Sequence, residues 1–118
     1  MDKNVEISML LSFYGSILTD KQKDTLELYY NDDLSLSEIA EILSITRQGV
    51  RDCIKRGEGV LYETEKKLGL CKRFFFVKKD LENIKEIADS IASETGSDKI
   101  SDLARKIIFS ADDISNRF

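Results

Sequence analysis

Arg47, Gln48, Arg51 and Lys55 are the residues of this chain whose types and spacing could do recognition chemistry. Arg offers two donors that match the paired acceptors of guanine, and Gln offers a donor and an acceptor that match adenine. On a helix, positions 47, 51 and 55 fall along one side, with Gln48 beside them. Arg56, Lys66 and Lys67 follow and are suited to phosphates. Asp52 stands among these readers although a carboxylate repels phosphate, and Gly49 sits near the start of the segment. A solvated basic corner of a helical bundle would show the same residues, so the base-reading role is an expectation that needs the right scaffold.

Other chemistries are excluded by what the chain lacks. There is no His in 118 residues, so no His-based triad, His general base or His metal ligand is possible. Cys53 and Cys71 cannot make a four-ligand zinc site or a disulfide framework. Asp32-Asp33 and Asp112-Asp113 are neighbours in sequence, not a pair held across a cleft with separated pKa values. Gly57-Glu58-Gly59 lies inside a helical stripe with no strand before it, so the dinucleotide-binding context is absent. Gly57 falls on the apolar side, where it is expected to permit a close helix crossing. Cys53 is expected to be a buried, inert small hydrophobe, and Cys71 sits where it could be exposed. No enzyme activity, catalytic residue, metal site or cofactor is expected.

Hydrophobic residues make up 42% of the chain and charged residues 34%, which is ordinary for a soluble globular protein. The formal net charge of −4 conceals a pattern. Residues 1–45 hold three basic and nine acidic side chains, residues 46–79 ten basic and four acidic, and residues 80–118 five basic and nine acidic. The positive field is therefore concentrated around the candidate readers. No apolar run approaches a membrane span. Two Cys and no signal-peptide pattern point to the reducing cytoplasm.

The elements that must position these residues all read as helices, and the absence of Pro favours long ones. Val5, Met9, Phe13 and Ile17, with Leu10, Tyr14 and Leu18 beside them, predict a helix from Val5 to Leu18. Thr19-Asp20-Lys21-Gln22 and Ser35-Leu36-Ser37-Glu38 are capping boxes that start the second and third helices. The second is expected to run to about Tyr30 with Leu26, Tyr29 and Tyr30 facing inward. Ile39, Ala40 and Leu43 then face Val50, Cys53 and Ile54 across the break Ser44-Ile45-Thr46. That is a helix-turn-helix, with Ala40 as the small residue at the crossing, although Ser44 replaces the usual glycine of the turn. Thr46 is a good N-cap for a helix from Arg47 to Gly69, roughly 34 Å long. Residues 71–77 are ambiguous between an extended linker and a further helical turn. If they are helical, three consecutive Phe cannot all be buried, and an exposed apolar patch often marks an interface. Leu81, Ile84, Ala88 and Ile91 predict a fifth helix, and Ile100, Leu103, Ala104 and Ile107 a sixth, with a frayed tail from Ser110. The expected organisation is a helix-turn-helix domain over residues 1–70 and a carboxy-terminal helical hairpin over residues 71–118, packed on the first part or on a partner subunit. The apolar surface from about Val60 onward exceeds what one small core can absorb, which predicts a homodimer.

Leu18 to Gln22, Leu26 to Tyr30 and Leu34 to Glu41 resemble the promoter-reading fourth region of bacterial sigma factors. More closely, Phe13-Tyr14-Gly15-Ser16, Leu18–Gln22, the run from Tyr29 to Leu36 and Ile45-Thr46-Arg47-Gln48 resemble the YlxM family. Those are small bacterial proteins encoded beside the signal recognition particle GTPase. The resemblance is dense over residues 5–70 and looser beyond. It implies an all-helical protein with a sigma-like helix-turn-helix that acts in or regulates the signal recognition particle pathway. Position 49 is usually Ala in that family and position 51 often aromatic, so Gly49 and Arg51 depart from it on the recognition face. The expected function is that of a helix-turn-helix regulator that binds nucleic acid, DNA ahead of RNA, through Arg47, Gln48, Arg51 and Lys55. The alternative is a protein-interaction module for signal recognition particle components, with the helix-turn-helix as scaffold only.

Overall fold

The computed structural model describes residues 2–117. Among them all regular structure is helical: α1 (Lys3–Tyr14), α2 (Asp20–Leu26), α3 (Leu36–Leu43), α4 (Arg47–Leu68), α5 (Leu70–Glu94) and α6 (Asp98–Asn116). The chain divides into two compact units, residues 1–71 and residues 72–118.

In the first unit α2, α3 and α4 each start where a side chain accepts an otherwise orphaned backbone N–H. Thr19 accepts from the Gln22 N–H at 3.1 Å while Gln22 Oε1 accepts from the Thr19 N–H at 3.2 Å. Ser35 and Glu38 make the same reciprocal pair, both at 3.1 Å. Those bonds from Ser35 hold the Glu38 carboxyl below the usual carboxylate range. Thr46 caps α4 through the Gly49 N–H at 2.9 Å. Each such cap contributes about 1 kcal/mol. The turn between α3 and α4 places Ser44 in the left-handed region, φ 55°, and α4 ends at Gly69, φ 64°. Gly69 adopts that conformation without cost, whereas Ser44 does so under strain.

The core of this unit is built on Ile7, Leu10, Leu11, Tyr14, Leu26, Ile39, Val50, Ile54 and Leu61. As the helix-turn-helix requires, Ile39, Ala40, Val50, Cys53 and Ile54 are buried, and Leu43 is half-buried. Four local expectations are corrected. The buried side of α1 is Ile7, Leu10, Leu11 and Tyr14, while Val5 and Ile17 are half exposed. The row that singled out Val5 and Ile17 lies more than a third of a turn from the side that packs. The helix also ends at Tyr14, and a single 3-10 turn, Gly15–Ile17, swings Leu18 into the core. The second helix widens into a π-helical turn over Glu27–Asn31, which leaves Tyr29 and Tyr30 half-buried with their rings edge to face at 4.9 Å. Cys71 is buried rather than exposed, and burial pushes its thiol up to about 11, with Glu65 adding to the shift.

The second unit is a helical hairpin of α5 and α6 joined by Thr95–Ser97, with Ser97 capping α6 through the Ile100 N–H. The ambiguous residues 71–77 belong to α5. Phe74 is half-buried with Lys78 Nζ 5.7 Å from its ring centroid, and Phe75 and Phe76 are exposed. The tail does not fray at Ser110. α6 continues to Asn116 because Ala111 is buried and Arg117 pairs with Asp113 at 2.8 Å.

Candidate nucleic-acid interface

The site is the solvent side of the first turns of α4. Thr46 fixes where the helix begins, and Val50, Cys53 and Ile54 anchor its inner side in the core. That rotation presents Arg47, Gln48, Arg51 and Lys55 outward, and all four are exposed. Arg47, Arg51 and Lys55 are successive turns of one side and span roughly 12 Å along the axis, about the width of a major groove. None of these three cations has a hydrogen bond or ion pair among the described residues. They pay no desolvation in the free protein and keep their full donor sets for a ligand.

Gln48 differs from the other three. Its Nε2 donates to Asp52 Oδ1 at 3.0 Å. The amide is therefore held by its own helix, and Asp52 keeps a negative charge one turn into the positive surface. The two are four residues apart, the spacing at which helical side chains meet, so the pairing could have been found from sequence.

Lys21 is a neighbour that sequence reasoning missed. A cleft at the start of α2 is lined by Thr19, Lys21, Gln22, Gly49, Asp52, Cys53 and Arg56. Lys21 and Arg56 are both exposed. A cation at the start of the neighbouring helix is suited to the phosphate backbone beside a groove occupied by α4. The signal is non-local, since only the packing of α2 on α4 brings Lys21 to this edge. Beneath the cleft, Cys53 Sγ lies 3.5 Å from Thr25 Oγ1 and 3.7 Å from the Lys21 carbonyl, a buried structural contact.

Gly57 sits at the closest approach of α4 to α2. A Cβ there would come 2.7 Å from Leu26 Cδ1, so the glycine permits the crossing that seats α4, as its place on the apolar side predicted. Gly49 is tight in another way, since an added Cβ would lie 3.1 Å from the capping Thr46 oxygen.

Among the described residues no group of three or more Cys, Asp or Glu is placed to hold a metal ion, and no helix is long and apolar enough to cross a membrane. The surface is a row of exposed cations on a capped helix.

Residues 1–103 match the family UPF0122, described as "Putative helix-turn-helix protein, YlxM / p13 like". A UPF0122 protein of Acetivibrio thermocellus is 52% identical over 88 residues, covering 74% of this chain and 75% of the relative. A UPF0122 protein of Desulforamulus reducens is 39% identical over 112 residues, covering 92% of this chain and 96% of the relative. One from Clostridium kluyveri is 38% identical over 108 residues, with 92% and 97% covered.

Proposed function

Because the chain belongs to the UPF0122 family of YlxM/p13-like helix-turn-helix proteins, we propose that it is a non-enzymatic, cytoplasmic regulator that binds duplex DNA through α4 and serves the signal recognition particle pathway. The observation that carries this proposal is the row Arg47, Arg51 and Lys55, exposed on the first turns of a capped helix whose opposite side is locked in the core. Arg47 and Arg51 read base edges, Lys55 and Arg56 meet phosphates, and Lys21 meets the adjoining backbone. Gln48 reads adenine when Asp52 releases it. Two subunits on successive half-sites are the usual arrangement of such a helix, so the binding species is taken to be a homodimer.

The test is selection of binding sequences from a random duplex pool, followed by the variant Arg47→Ala with Arg51→Ala. An enriched motif that the variant no longer binds supports the proposal. No enrichment at low salt refutes it.

A second function is favoured by one specific observation. Phe75 and Phe76 are exposed side by side, with rings 6.2 Å apart, among Arg73, Lys78 and Lys79. Such a surface suits a protein partner, and the signal recognition particle proteins are the candidates. In that case substitutions on α5 abolish partner binding and substitutions on α4 do not.

A further inference from the structure

Positions 72, 75, 76 and 79 of α5 form a diamond on one side of the helix, because neighbouring corners are three or four residues apart. Lys72 and Lys79 stand at its ends, and Phe75 and Phe76 lie side by side at its waist. All four side chains are exposed, the two rings by 54% and 53%. Arg73 and Lys78 flank the diamond beside Phe76 and Phe75 and are exposed as well. The inner side of the helix is Cys71, Phe74 and Leu81, buried or half-buried, so the diamond faces away from it. Lys85 pairs with Asp112 at 2.7 Å. In an antiparallel hairpin that register sets Asn116, where α6 ends, beside about Leu81. The rings and cations thus stand on turns of α5 that extend past the end of α6.

This surface carries two kinds of chemistry only. Residues 72–79 are four cations, three Phe and one Val, with no acid, amide or hydroxyl side chain. A base edge is read through paired donors and acceptors, whereas these side chains offer charge and hydrocarbon. The two rings stand at 79° to one another, so they give successive bases no parallel stack. A dry protein interface would have to match every cation that it takes out of water. A bilayer surface makes neither demand. The rings enter the acyl boundary while the ammonium and guanidinium groups stay among hydrated headgroups at the ends of their flexible stems. Clustered Lys and Arg beside exposed Phe on one helix select headgroups that are anionic.

We infer that the first turns of α5 are a peripheral membrane contact, in which Phe75 and Phe76 enter a lipid surface rich in anionic headgroups and Lys72, Arg73, Lys78 and Lys79 meet those headgroups. The following residues limit its extent. Residues 80–94 hold five acids and one base, and an anionic surface repels them. The contact is therefore confined to residues 72–79. Two rings and four cations hold it reversibly, with a strong dependence on salt and on headgroup charge. It uses no residue proposed to meet the duplex.

The test uses the full chain and vesicles of phosphatidylcholine, with or without about one-third phosphatidylglycerol. The wild type is expected to float with the anionic vesicles at about 50 mM salt, to be released by about 300 mM, and to bind neutral vesicles at least about tenfold more weakly. Phe75→Ala with Phe76→Ala, and separately Arg73→Glu with Lys79→Glu, should each lower partitioning at least about tenfold. Helicity should be unchanged, since these side chains are exposed. Arg47→Ala with Arg51→Ala should float as the wild type does. The chain has no Trp, so Phe76→Trp gives a single reporter whose emission should shift to the blue on anionic vesicles and be quenched by brominated acyl chains. A wild type that stays off anionic vesicles, or that binds neutral ones equally, overturns the inference. So does equal flotation of either α5 variant, loss of flotation in the α4 variant, or a Trp emission that brominated chains leave unchanged. Should an α5 variant lose its helicity, wild-type flotation and the Trp reporter decide. A wild type that ignores vesicles but holds a protein partner through Phe75 and Phe76 assigns the surface to that protein and overturns the inference. A wild type that binds vesicles but no duplex removes the proposed function and leaves this inference standing. One that binds duplex but no vesicles does the reverse.

Discussion

Gly57 of α4 lies against Leu26 of α2 so closely that a Cβ on the glycine would come 2.7 Å from Leu26 Cδ1. Leu26 is fully buried, so its side chain would have to shift within the core to admit that Cβ. Two residues further along, Gly59 is exposed and has nothing within reach of an added Cβ. The same substitution therefore has opposite signs at the two positions. Gly57→Ala overpacks the crossing, and after the helix-propensity gain the net loss is about 1 kcal/mol. Gly59→Ala gains about 0.5–1 kcal/mol, since only propensity changes. Urea unfolding of both variants should move their midpoints in opposite directions, and movement in the same direction would contradict this packing.

Ser44 holds the helix-turn-helix corner with φ at 55°. Its side chain is exposed and has no hydrogen-bond partner among the described residues. Ser44→Gly removes the strain of a Cβ in the left-handed region and should stabilise the fold by about 1 kcal/mol. A lower thermal midpoint for this variant would mean that the serine side chain supports the turn.

The elements with local signals were legible in the sequence. Thr19 with Gln22, Ser35 with Glu38, Thr46 and Gly69 act through partners within four residues, so spacing alone marks them. The side of α1 that packs was misjudged, because Val5, Met9, Phe13 and Ile17 make as regular an apolar row as Ile7, Leu10, Leu11 and Tyr14. Only the partner helices decide which row is buried. The π-helical turn at Glu27–Asn31 and the burial of Cys71 are likewise tertiary outcomes. At the candidate interface, exposure of Lys55 and Arg51 followed from their turn away from Val50 and Ile54, and that of Arg47 from its place at the start of α4. Lys21 was hidden because it reaches that edge through the packing of α2.

Alkali should destabilise this protein through its buried hydroxyls and thiol. The Tyr14 hydroxyl donates to Glu65 at 2.5 Å and accepts from the Leu70 N–H at 3.1 Å, which ties α1 to the end of α4 and the start of α5. Burial, then Glu65, raises the Tyr14 pKa above its ordinary value, and burial, then Glu58, does so for Tyr30. Cys71 is raised from 9.0 to about 11. A raised acid favours its neutral form in the folded state, so its contribution is complete below the unfolded pKa and is lost as pH rises through the folded one. The midpoint of thermal unfolding should be flat from pH 7 to about 9 and fall steadily above that. Cys71→Ala should show a smaller fall between about pH 9 and 11. A midpoint that rises across that interval would contradict the account.

Asp52 restrains the proposed binding surface twice, by holding Gln48 and by repelling phosphate. Asp52→Asn should therefore raise duplex affinity, by roughly threefold to tenfold at moderate salt, without a large change in stability since the side chain is exposed. Fluorescence anisotropy against a selected duplex measures this directly. Weaker binding by Asp52→Asn would show that the carboxylate itself takes part in recognition.

The measurement closest to the central claim is the salt dependence of duplex binding by the full chain and by Arg47→Ala with Arg51→Ala. If α4 meets DNA as proposed, log K for the wild type falls linearly with log salt, with a slope near −0.9 for each phosphate neutralised. The double variant loses preference for the selected sequence, since each base-reading contact is worth about 1–3 kcal/mol, and keeps a thermal midpoint near that of its parent. Absence of wild-type binding at about 50 mM salt, or equal affinity and sequence preference in the variant, would contradict the claim that this surface of α4 reads nucleic acid.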